Sequence, residues 1–463
     1  METETERVRQ VYRKERAEDM TEQAEQRWGE WRSQTLEDAD LTRELEEIQG
    51  NEEAIEDRFY RELEFGTGGL RGVIGAGTNR MNIYTVAKAS QGYADYLNAQ
   101  GAQPTVAIAY DSRIKSELFA RTAAGVFAAN GIRVHIYREL MPTPALSFAV
   151  RHLGCSGGVV VTASHNPAKY NGYKVYGSDG CQITTKAAKE ILGCIGRVDI
   201  FNGVKKMDFA HAVREKLVCY IDTETVDAYI RAVSAQSLSE STEENRRIRK
   251  EMAIVYTPLN GTGRYCVTRT LRENGFENIV VVKEQEQPDG NFPTCPYPNP
   301  EIREAMELGI SWAEKTGSDL LLATDPDCDR VGIAVKTKKG FTLLTGNEVG
   351  LLLLDYICRR RIALGTMPER PVAVKTIVTI DMAKKIAEHY GVEMREVLTG
   401  FKFIGEQIGL LEQQGEAERF ILGFEESYGY LSGSYVRDKD GVDASLLICE
   451  MAAYYREQGM TLW

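Results

Sequence analysis

The sequence has no Cys-x-x-Cys pair, although nine of its 463 residues are cysteines. Single, scattered cysteines argue against a disulfide framework, and they also argue against a structural zinc site, which uses closely paired thiolates. Thiols that stay reduced fit the cytoplasm best. The missing pairs therefore exclude the small, cross-linked secreted proteins and favour a cytoplasmic protein.

Long apolar runs and an excess of positive charge are also missing. The first thirty residues are charged throughout, and the longest apolar stretch, which follows Asn347, is too short to span a bilayer. The 68 acidic residues outnumber the 56 basic ones and give a formal net charge of -12. Broad attraction to nucleic acid is therefore not expected, and an anionic substrate has to be held by local cations.

The sequence does contain an alternation of short apolar runs with helical patterns. Its length of 463 residues suggests about three domains. This alternation predicts three α/β units at residues 61–205, 206–338 and 339–463. The expected fold class is thus α/β, with mixed, largely parallel sheets around a central cleft. Residues 1–60 are charge-rich, and apolar residues at three-to-four spacing predict a helical N-terminal cap there: Leu41, Leu45, Ile48, Ile55 and Phe59.

Ser164 stands in TASHNP, directly after the apolar strand pattern VVV. As a hydrolase nucleophile it would need a sharp G-x-S-x-G turn, and TASHNP does not contain that pattern. Adjacent side chains point apart in extended backbone, so we expect His165 to be poorly placed to deprotonate Ser164. Two interpretations stay open here: an ordinary loop hydroxyl, or a hydroxyl that carries a group, with Lys174 as a nearby cation.

The stretch DPDCDR ends another apolar strand and places Asp325, Asp327 and Asp329 at alternating positions. In a curled loop three carboxylates can converge on one hard cation, and the remaining open positions suit Mg²⁺. A calcium-binding EF-hand loop needs Gly at its sixth position and Glu at its twelfth. Here these positions hold Arg330 and Lys336, so an EF-hand is excluded. The alternative is a solvated acidic turn. Beside a bound metal, Arg330 would serve a phosphate group.

Further stretches carry weaker signals. EFGTGGLRG offers backbone N–H groups and Arg71 to an anion, or it forms only a tight turn between strands. GFEESYG ends an apolar strand, and its Glu425 and Ser427 either grip vicinal sugar hydroxyls or belong to a helix cap. TGFKFIG supplies Lys402, which taken alone is a solvated lysine. TPLNGTG is explained by a strand-to-helix turn without any function.

Together these features supply what phosphoryl transfer needs: a hydroxyl that can carry a group, a divalent cation site, several cations and a sugar contact. In their order and spacing, TASHNP, TPLNGTG, DPDCDR, TGFKFIG and GFEESYG resemble the α-D-phosphohexomutase family. EFGTGGLRG and RDKDG strengthen the similarity, which runs from about residue 28 to the end. The pattern is closest to the bacterial phosphoglucomutase and phosphomannomutase group.

The resemblance implies a mutase that interconverts glucose 1-phosphate and glucose 6-phosphate through a bisphosphorylated sugar. Ser164 would be the phosphoserine, primed by glucose 1,6-bisphosphate, and would complete a Mg²⁺ site with Asp325, Asp327 and Asp329. Glu425 and Ser427 would contact sugar hydroxyls. The other cleft residues that the resemblance implies are His165, Lys174, Arg330 and Lys402 as catalytic groups, with Arg71 and Lys402 as substrate contacts.

Members of this family type carry a fourth, C-terminal domain with an R-x-S-G-T-x-x-P phosphate loop, and this sequence contains no such pattern. We therefore expect a truncated form with impaired turnover. Alternatives on the same scaffold are a phosphomannomutase, a phosphopentomutase or a catalytically silent phosphosugar-binding protein. A serine hydrolase is a further alternative, but it leaves the aspartates without a role. The expected partners are hexose phosphates, without nucleic acid or membrane, and the chain is expected to be a monomer or a dimer.

Overall fold

The N-terminal part of the chain folds into a helical cap. A computed structural model describes residues 21–66, 68–101, 103–240 and 242–463. The cap comprises α1 (residues 21–33), α2 (Ala39–Glu47) and α3 (Glu52–Phe59), while residues 1–20 of the predicted cap lie outside the described residues. The apolar residues that predicted these helices are all buried, in one core with the first sheet: Leu41, Leu45, Ile48, Ile55 and Phe59.

The first unit is built on a six-stranded sheet. Its strands are β1 (Gly69–Val73), β2 (Thr105–Tyr110), β3 (Arg133–Ile136), β4 (Gly157–Val161), β5 (Tyr170–Gly177) and β6 (Val218–Tyr220). They lie in the order β1-β5-β4-β2-β3-β6, with β5 antiparallel to both neighbours and the last four strands parallel. Its helices are α4 (Ile83–Gln100), α5 (Ser116–Ala129), α6 (Thr143–His152), α7 (Thr185–Ile195) and α8 (Phe209–Arg214). Because the chain returns to the sheet edge after α8, β6 lies beyond the boundary at residue 205 expected from the sequence.

The second unit has five strands. They are β7 (Ile254–Thr257), β8 (Ile279–Val281), β9 (Leu320–Thr324), β10 (Val331–Thr337) and β11 (Gly340–Leu344), in the order β11-β10-β9-β7-β8. Its helices are α9 (Thr223–Ser234), α10 (Glu243–Glu251), α11 (Gly263–Glu273) and α12 (Arg303–Thr316). The sequence pattern predicts that the third unit starts at residue 339, but a two-residue turn folds β11 back onto β10, so that β11 belongs to the second sheet.

The third unit has four strands. They are β12 (Val372–Thr376), β13 (Glu393–Val397), β14 (Phe420–Glu425) and β15 (Gly429–Leu431), in the order β13-β12-β14-β15. Its helices are α13 (Gly346–Ala363), α14 (Met382–Tyr390), α15 (Phe401–Gln413) and α16 (Gly441–Glu457), with a short 3₁₀ helix at Ala417–Arg419. All three sheets contain parallel and antiparallel pairs, which confirms the predicted α/β class with mixed, largely parallel sheets.

The strands that lead to the candidate site are β4, β9 and β14, and each is buried along its whole length. Burial on both faces is expected for strands that helices cover on both sides of a sheet. Ligands gather at the loops after the carboxyl ends of such strands. Ser164 and Asp325 come just after β4 and β9, and Glu425 is the last residue of β14. Each unit therefore contributes one loop to a common cleft.

One apolar cluster connects the three units, beside the separate clusters of the first and second units. A single cluster of buried side chains extends through all of them, from Tyr176 of the first unit to Tyr256 of the second and Phe424 of the third. The units therefore pack as neighbours and not as separate bodies. Within the described ranges, no helix combines the length and the apolar composition needed to cross a membrane.

Candidate active site

Ser164 lies in the serine loop (residues 162–170), and its side chain is buried. Its backbone is left-handed, with a φ of 51°, which costs a non-glycine residue roughly 1–2 kcal/mol. The Ser164 amide donates to Thr162 Oγ1 at 2.8 Å, and the Asn166 amide donates to the Ala163 carbonyl at 3.1 Å. These bonds stabilise a turn that directs the Ser164 hydroxyl toward the second unit.

The three aspartates lie in the aspartate loop (residues 325–330), between β9 and β10, and all of them are buried. Asp325, Asp327 and Asp329 each offer one carboxylate oxygen, and these oxygens lie within 4.8 Å of one another. Asp327 Oδ1 and Asp329 Oδ1 have no hydrogen-bond donor among the residues that the structure describes. Buried carboxylate oxygens without a donor suit a hard divalent cation, so the residues present fit Mg²⁺.

The serine loop and the aspartate loop meet directly. Ser164 Oγ donates to Asp325 Oδ2 at 2.7 Å, and Asp325 Oδ1 accepts from the amides of Asp329 and Arg330 at 3.1 and 3.0 Å. Burial, together with the negative charges of Asp327 and Asp329, raises the pKa of Asp325 well above its usual range. The hydroxyl and the aspartates thus face a single cleft.

Two lysines from different units neutralise the aspartates. Lys174 Nζ of the first unit lies 2.8 Å from Asp327 Oδ2 and 3.2 Å from Asp329 Oδ2. Lys439 Nζ of the third unit lies 3.1 Å from Asp329 Oδ2. Burial alone would raise the pKa of Asp327 and of Asp329, but the lysine charges outweigh it and lower both. Sequence reasoning missed Lys439, whose only signal was its place between two aspartates in RDKDG.

Two threonines support the aspartate loop through hydrogen bonds to Pro326 and Asp327. Thr143, at the start of α6, donates through Oγ1 to Asp327 Oδ2 and through its amide to the Asp327 carbonyl, both at 2.9 Å. Thr262 donates to the Pro326 carbonyl through its amide at 2.8 Å and its hydroxyl at 3.0 Å. A Cβ at Gly261 would lie 2.4 Å from Pro326 Cα. TPLNGTG therefore has a structural task that the sequence did not reveal.

His165 departs from the expectation. Its Nδ1 lies 3.2 Å from Ser164 Oγ, although extended backbone would have kept the two side chains apart. The left-handed φ of Ser164 brings the adjacent side chains together, so the expectation was wrong. Burial and the positive charge of Arg330 lower the pKa of His165 to about 3. The imidazole is consequently neutral near pH 7.

Arg330 and Arg71 bring positive charge to the serine loop. Arg330 Nη1 lies 3.0 Å from His165 Nδ1 and donates to Glu301 Oε1 at 3.0 Å. Arg71, on β1, has Nη1 3.5 Å from Asn166 Oδ1. Guanidinium groups in such positions can bind phosphate oxygens in a bidentate manner. Sequence reasoning named both arginines and missed Glu301, which orients Arg330.

The third unit contributes residues 425–428, which the sequence predicts to contact sugar hydroxyls and which are named the sugar loop for that prediction. Glu425 is buried, and the Ser427 hydroxyl lies near its carboxyl group. Burial raises the pKa of Glu425, although nearby lysine and arginine charges oppose this. Glu426 has a different environment, because its Oε2 accepts from the hydroxyls of Thr376 and Thr379 at 2.9 and 3.1 Å. Of the two glutamates, Glu425 is thus the one that interacts electrostatically with the charged residues of the cleft.

Lys402 lies at the start of α15, where the third unit meets the first. Its carbonyl accepts from the thiol of Cys181 at 3.4 Å, and its ammonium group lies 5.3 Å from the centre of the Phe403 ring. Burial lowers the pKa of Lys402. The structure thus brings Lys402 to the junction of two units, and its catalytic role stays a prediction.

Comparisons of the sequence with known proteins agree with this geometry. Residues 62–199, 227–340 and 345–462 match, in turn, alpha/beta/alpha domains I, II and III of phosphoglucomutase/phosphomannomutase. The phosphoglucomutase of Staphylococcus saprophyticus is 36% identical over 404 residues, which cover 87% of this chain and 71% of the relative. That of Staphylococcus aureus is 37% identical over 411 residues, which cover 87% of this chain and 70% of the relative.

Solved structures share the architecture. A proposed phosphomannomutase from Thermus thermophilus has a TM-score of 0.69 at 26% identity, covering 87% of this chain and 82% of its own. Parafusin from Paramecium, a phosphoglucomutase, has a TM-score of 0.66 at 18% identity, over 86% of this chain and 72% of its own, and it shows the fold alone. The resemblance seen in the sequence is confirmed. The chain therefore belongs to the phosphoglucomutase/phosphomannomutase family.

Proposed function

We propose that the protein interconverts glucose 1-phosphate and glucose 6-phosphate, with phosphorylated Ser164 as donor and acceptor. The observation that carries the proposal is the 2.7 Å hydrogen bond between Ser164 Oγ and Asp325, within a cluster of buried carboxylates. A hydroxyl that is buried against a cation site is suited to phosphoryl transfer. An ordinary solvated acidic turn does not require a buried hydroxyl. The similarity to phosphoglucomutases at 36% and 37% identity supports the same reaction.

The three aspartates and Ser164 would hold Mg²⁺. Three carboxylates and one hydroxyl form an all-oxygen donor set, which a hard cation prefers. The Oδ1 atoms of Asp327 and Asp329, which accept no hydrogen bond within the described ranges, support this assignment. When bound, the ion neutralises the charge that develops on the transferring phosphoryl oxygens.

Each reaction cycle removes one phosphoryl group from Ser164 and returns one to it. In the first half, a sugar hydroxyl oxygen attacks the phosphorus, the bond between phosphorus and Ser164 Oγ breaks, and the hydroxyl proton passes to a base. The second half reverses these changes at the other end of the bisphosphorylated sugar, so that Ser164 is phosphorylated again. Glucose 1,6-bisphosphate would prime a free serine.

Different cleft residues would bind the phosphoryl oxygens and the sugar hydroxyls. Arg71 and Arg330 would bind phosphoryl oxygens, and Glu425 with Ser427 would exchange hydrogen bonds with sugar hydroxyls. The remaining catalytic groups would be His165, Lys174 and Lys402. Hexose phosphates are thus the proposed partners, and the nine free thiols support the proposed location in the reducing cytoplasm.

A coupled dehydrogenase assay tests the proposal. With Mg²⁺, glucose 1-phosphate and a trace of glucose 1,6-bisphosphate, the purified protein should form glucose 6-phosphate. Ser164→Ala should lower kcat by at least about 10⁴-fold, because the group that carries phosphate is lost. Ser156→Ala, just before β4, is the matched control and should keep full activity.

The same experiment separates the alternatives. Phosphate uptake on Ser164 without formation of glucose 6-phosphate would indicate a silent phosphosugar-binding protein. A higher kcat/KM for mannose 1-phosphate or ribose 1-phosphate than for glucose 1-phosphate would move the assignment to a phosphomannomutase or a phosphopentomutase. Full activity of Ser164→Ala would contradict the proposal.

A further inference from the structure

Arg113 lies in the turn after β2, and its side chain is buried against the serine loop. Its Nη2 donates to the carbonyl of Ser164 at 2.5 Å and to that of Asn166. Its Nη1 donates to the carbonyls of Pro167 and Tyr170 at 3.1 and 3.0 Å. One guanidinium group therefore binds four backbone carbonyls of a single loop.

Arg113 is itself fixed from two sides. Its Nε lies 3.4 Å from Asp111 Oδ2, and neither side chain is accessible to solvent. Asp111 Oδ1 in turn accepts from the Arg113 amide at 2.9 Å and from the Ser116 hydroxyl at 2.7 Å. The Phe292 ring of the second unit lies 5.1 Å from the guanidinium carbon. A group held in this way keeps its place, and the serine loop has to conform to it.

The serine loop needs such an anchor. Left-handed backbone is unfavourable at a serine, and four carbonyl dipoles that point at one another repel unless a cation lies between them. The orientation of the Ser164 carbonyl also fixes the peptide plane that follows Ser164. An anchor on that carbonyl thus helps to set where Oγ stands relative to Asp325.

We propose that Arg113 is a positioning residue for phosphoryl transfer, an inference that rests on the function proposed above. Arg113 keeps the serine loop in the left-handed form that holds Ser164 Oγ against the aspartate loop. A displacement of about 1 Å at a reacting atom costs on the order of 10²-fold in rate. Because Arg113 binds the loop that carries the phosphoryl group, its loss lowers kcat more than it raises KM.

Lysine cannot replace Arg113 in this role. A guanidinium group presents five donors in a planar fork, whereas an ammonium group is a single point charge. Arg113→Lys therefore keeps a positive charge near Asp111 and loses the fork that binds four carbonyls. The variant separates loss of loop geometry from loss of the fold, and Arg113→Ala is its more severe counterpart.

Hydrogen exchange followed by peptide mass spectrometry tests the loop directly. In Arg113→Lys and Arg113→Ala, amides of residues 162–170 should exchange at least about tenfold faster than in the wild type. The matched control is Arg360→Ala, which removes another buried arginine whose Nε donates to a carbonyl, that of Leu238. It should leave exchange in the serine loop unchanged. Unchanged exchange in both Arg113 variants would overturn the inference.

The rate of phosphoryl transfer is the second readout. With glucose 1,6-bisphosphate as donor and intact mass as the signal, Arg113→Lys should phosphorylate Ser164 about 10²-fold more slowly. Its kcat should fall by a similar factor, while KM for glucose 1-phosphate changes by less than about threefold. Millimolar guanidinium should restore part of the rate to Arg113→Ala, since the ion fits the space that the side chain leaves. Added guanidinium should not change the phosphorylation rate of Arg360→Ala.

The outcomes distinguish the positioning role of Arg113 from the proposed mutase function. Transfer rates in both Arg113 variants equal to that of the wild type would overturn the positioning role. A wild-type protein that never carries phosphate on Ser164 would instead contradict the proposed function. In that case the hydrogen exchange of residues 162–170 would still decide whether Arg113 holds the serine loop.

Discussion

The aspartate loop and the sugar loop differ in how firmly the rest of the chain holds them. The aspartate loop is contacted from the first unit by Thr143 and Lys174 and from the third by Lys439. In the sugar loop Ser427 is only half-buried, and the Tyr428 carbonyl accepts from the Val331 amide at 3.2 Å. A charge cluster has to keep one geometry in both half-reactions, whereas a sugar that turns around presents two different ends. We infer that the aspartate loop governs the rate and the sugar loop governs the affinity.

The largest effect is expected at the centre of the aspartate loop. Asp327→Asn should lower kcat by about 10³-fold with little change in KM, because a charged cation ligand is lost. Added Mg²⁺ should restore part of the activity. Steady-state kinetics over a series of Mg²⁺ concentrations measures this. Asp319→Asn, just before β9, is the control and should behave like the wild type, while an unchanged kcat in Asp327→Asn would remove the aspartate loop from the reaction.

A smaller loss is expected when the third unit's cation is removed. Lys439→Met should lower kcat by about 10²-fold, because the charge that lowers the pKa of Asp329 is gone. The control Lys384→Met removes an exposed lysine that pairs with Asp381 and should leave kcat unchanged. Equal activity of Lys439→Met and the wild type would show that the third unit does not contribute to the charge cluster.

The sugar loop should respond in KM. Glu425→Gln replaces one carboxyl oxygen, a hydrogen-bond acceptor, with an amide NH₂ donor, so KM for glucose 1-phosphate should rise about tenfold and kcat should change less. Glu426→Gln is the adjacent control, and its KM should stay near that of the wild type because Glu426 is bound to Thr376 and Thr379. A fall in kcat at constant KM in Glu425→Gln would contradict the inference that the sugar loop governs affinity and the aspartate loop governs the rate.

The smallest effect concerns α16, which begins next to the aspartate loop. Asp443 accepts two hydrogen bonds from Ser432, and burial raises its pKa from 3.8 to about 7. A carboxyl group with a raised folded-state pKa stabilises the fold below its unfolded pKa, and this contribution is lost as the pH rises through about 7.

Asp443→Asn removes this titration. Between pH 5 and pH 8 its free energy of unfolding should fall less than that of the wild type, by roughly 1–3 kcal/mol. Urea unfolding at the two pH values measures the difference. The same fall in both proteins would show that Asp443 keeps an ordinary pKa in the folded state.

Much of the fold follows from the sequence because its strands are short apolar runs and its helices have regular apolar spacing. The buried strands β4 and β9 and the buried cap residues Leu41 and Phe59 are examples. Pairing between strands is less visible. β11 joins the second sheet through a hairpin turn, and nothing in its own composition distinguishes that sheet from the next.

The parts of the site that could be predicted are those with an unusual residue pattern. Three alternating aspartates in DPDCDR indicated a cation site, and the structure brings their oxygens together. Residues that act through geometry gave no such signal. Arg113 and Thr143 are ordinary in the sequence, and only the fold brings them to the serine loop and the aspartate loop. The position of His165 depended on one backbone angle at Ser164, which the sequence does not specify.

The most direct test of the account is to locate phosphate on the protein. After incubation with glucose 1,6-bisphosphate and Mg²⁺, peptide mass spectrometry should find one phosphoryl group on Ser164. It should leave when a hexose monophosphate is added, and it should form far more slowly when Mg²⁺ is chelated. A protein that stays unmodified, or that carries the group on another residue, would contradict the claim that Ser164 and the aspartate loop form one phosphoryl-transfer site.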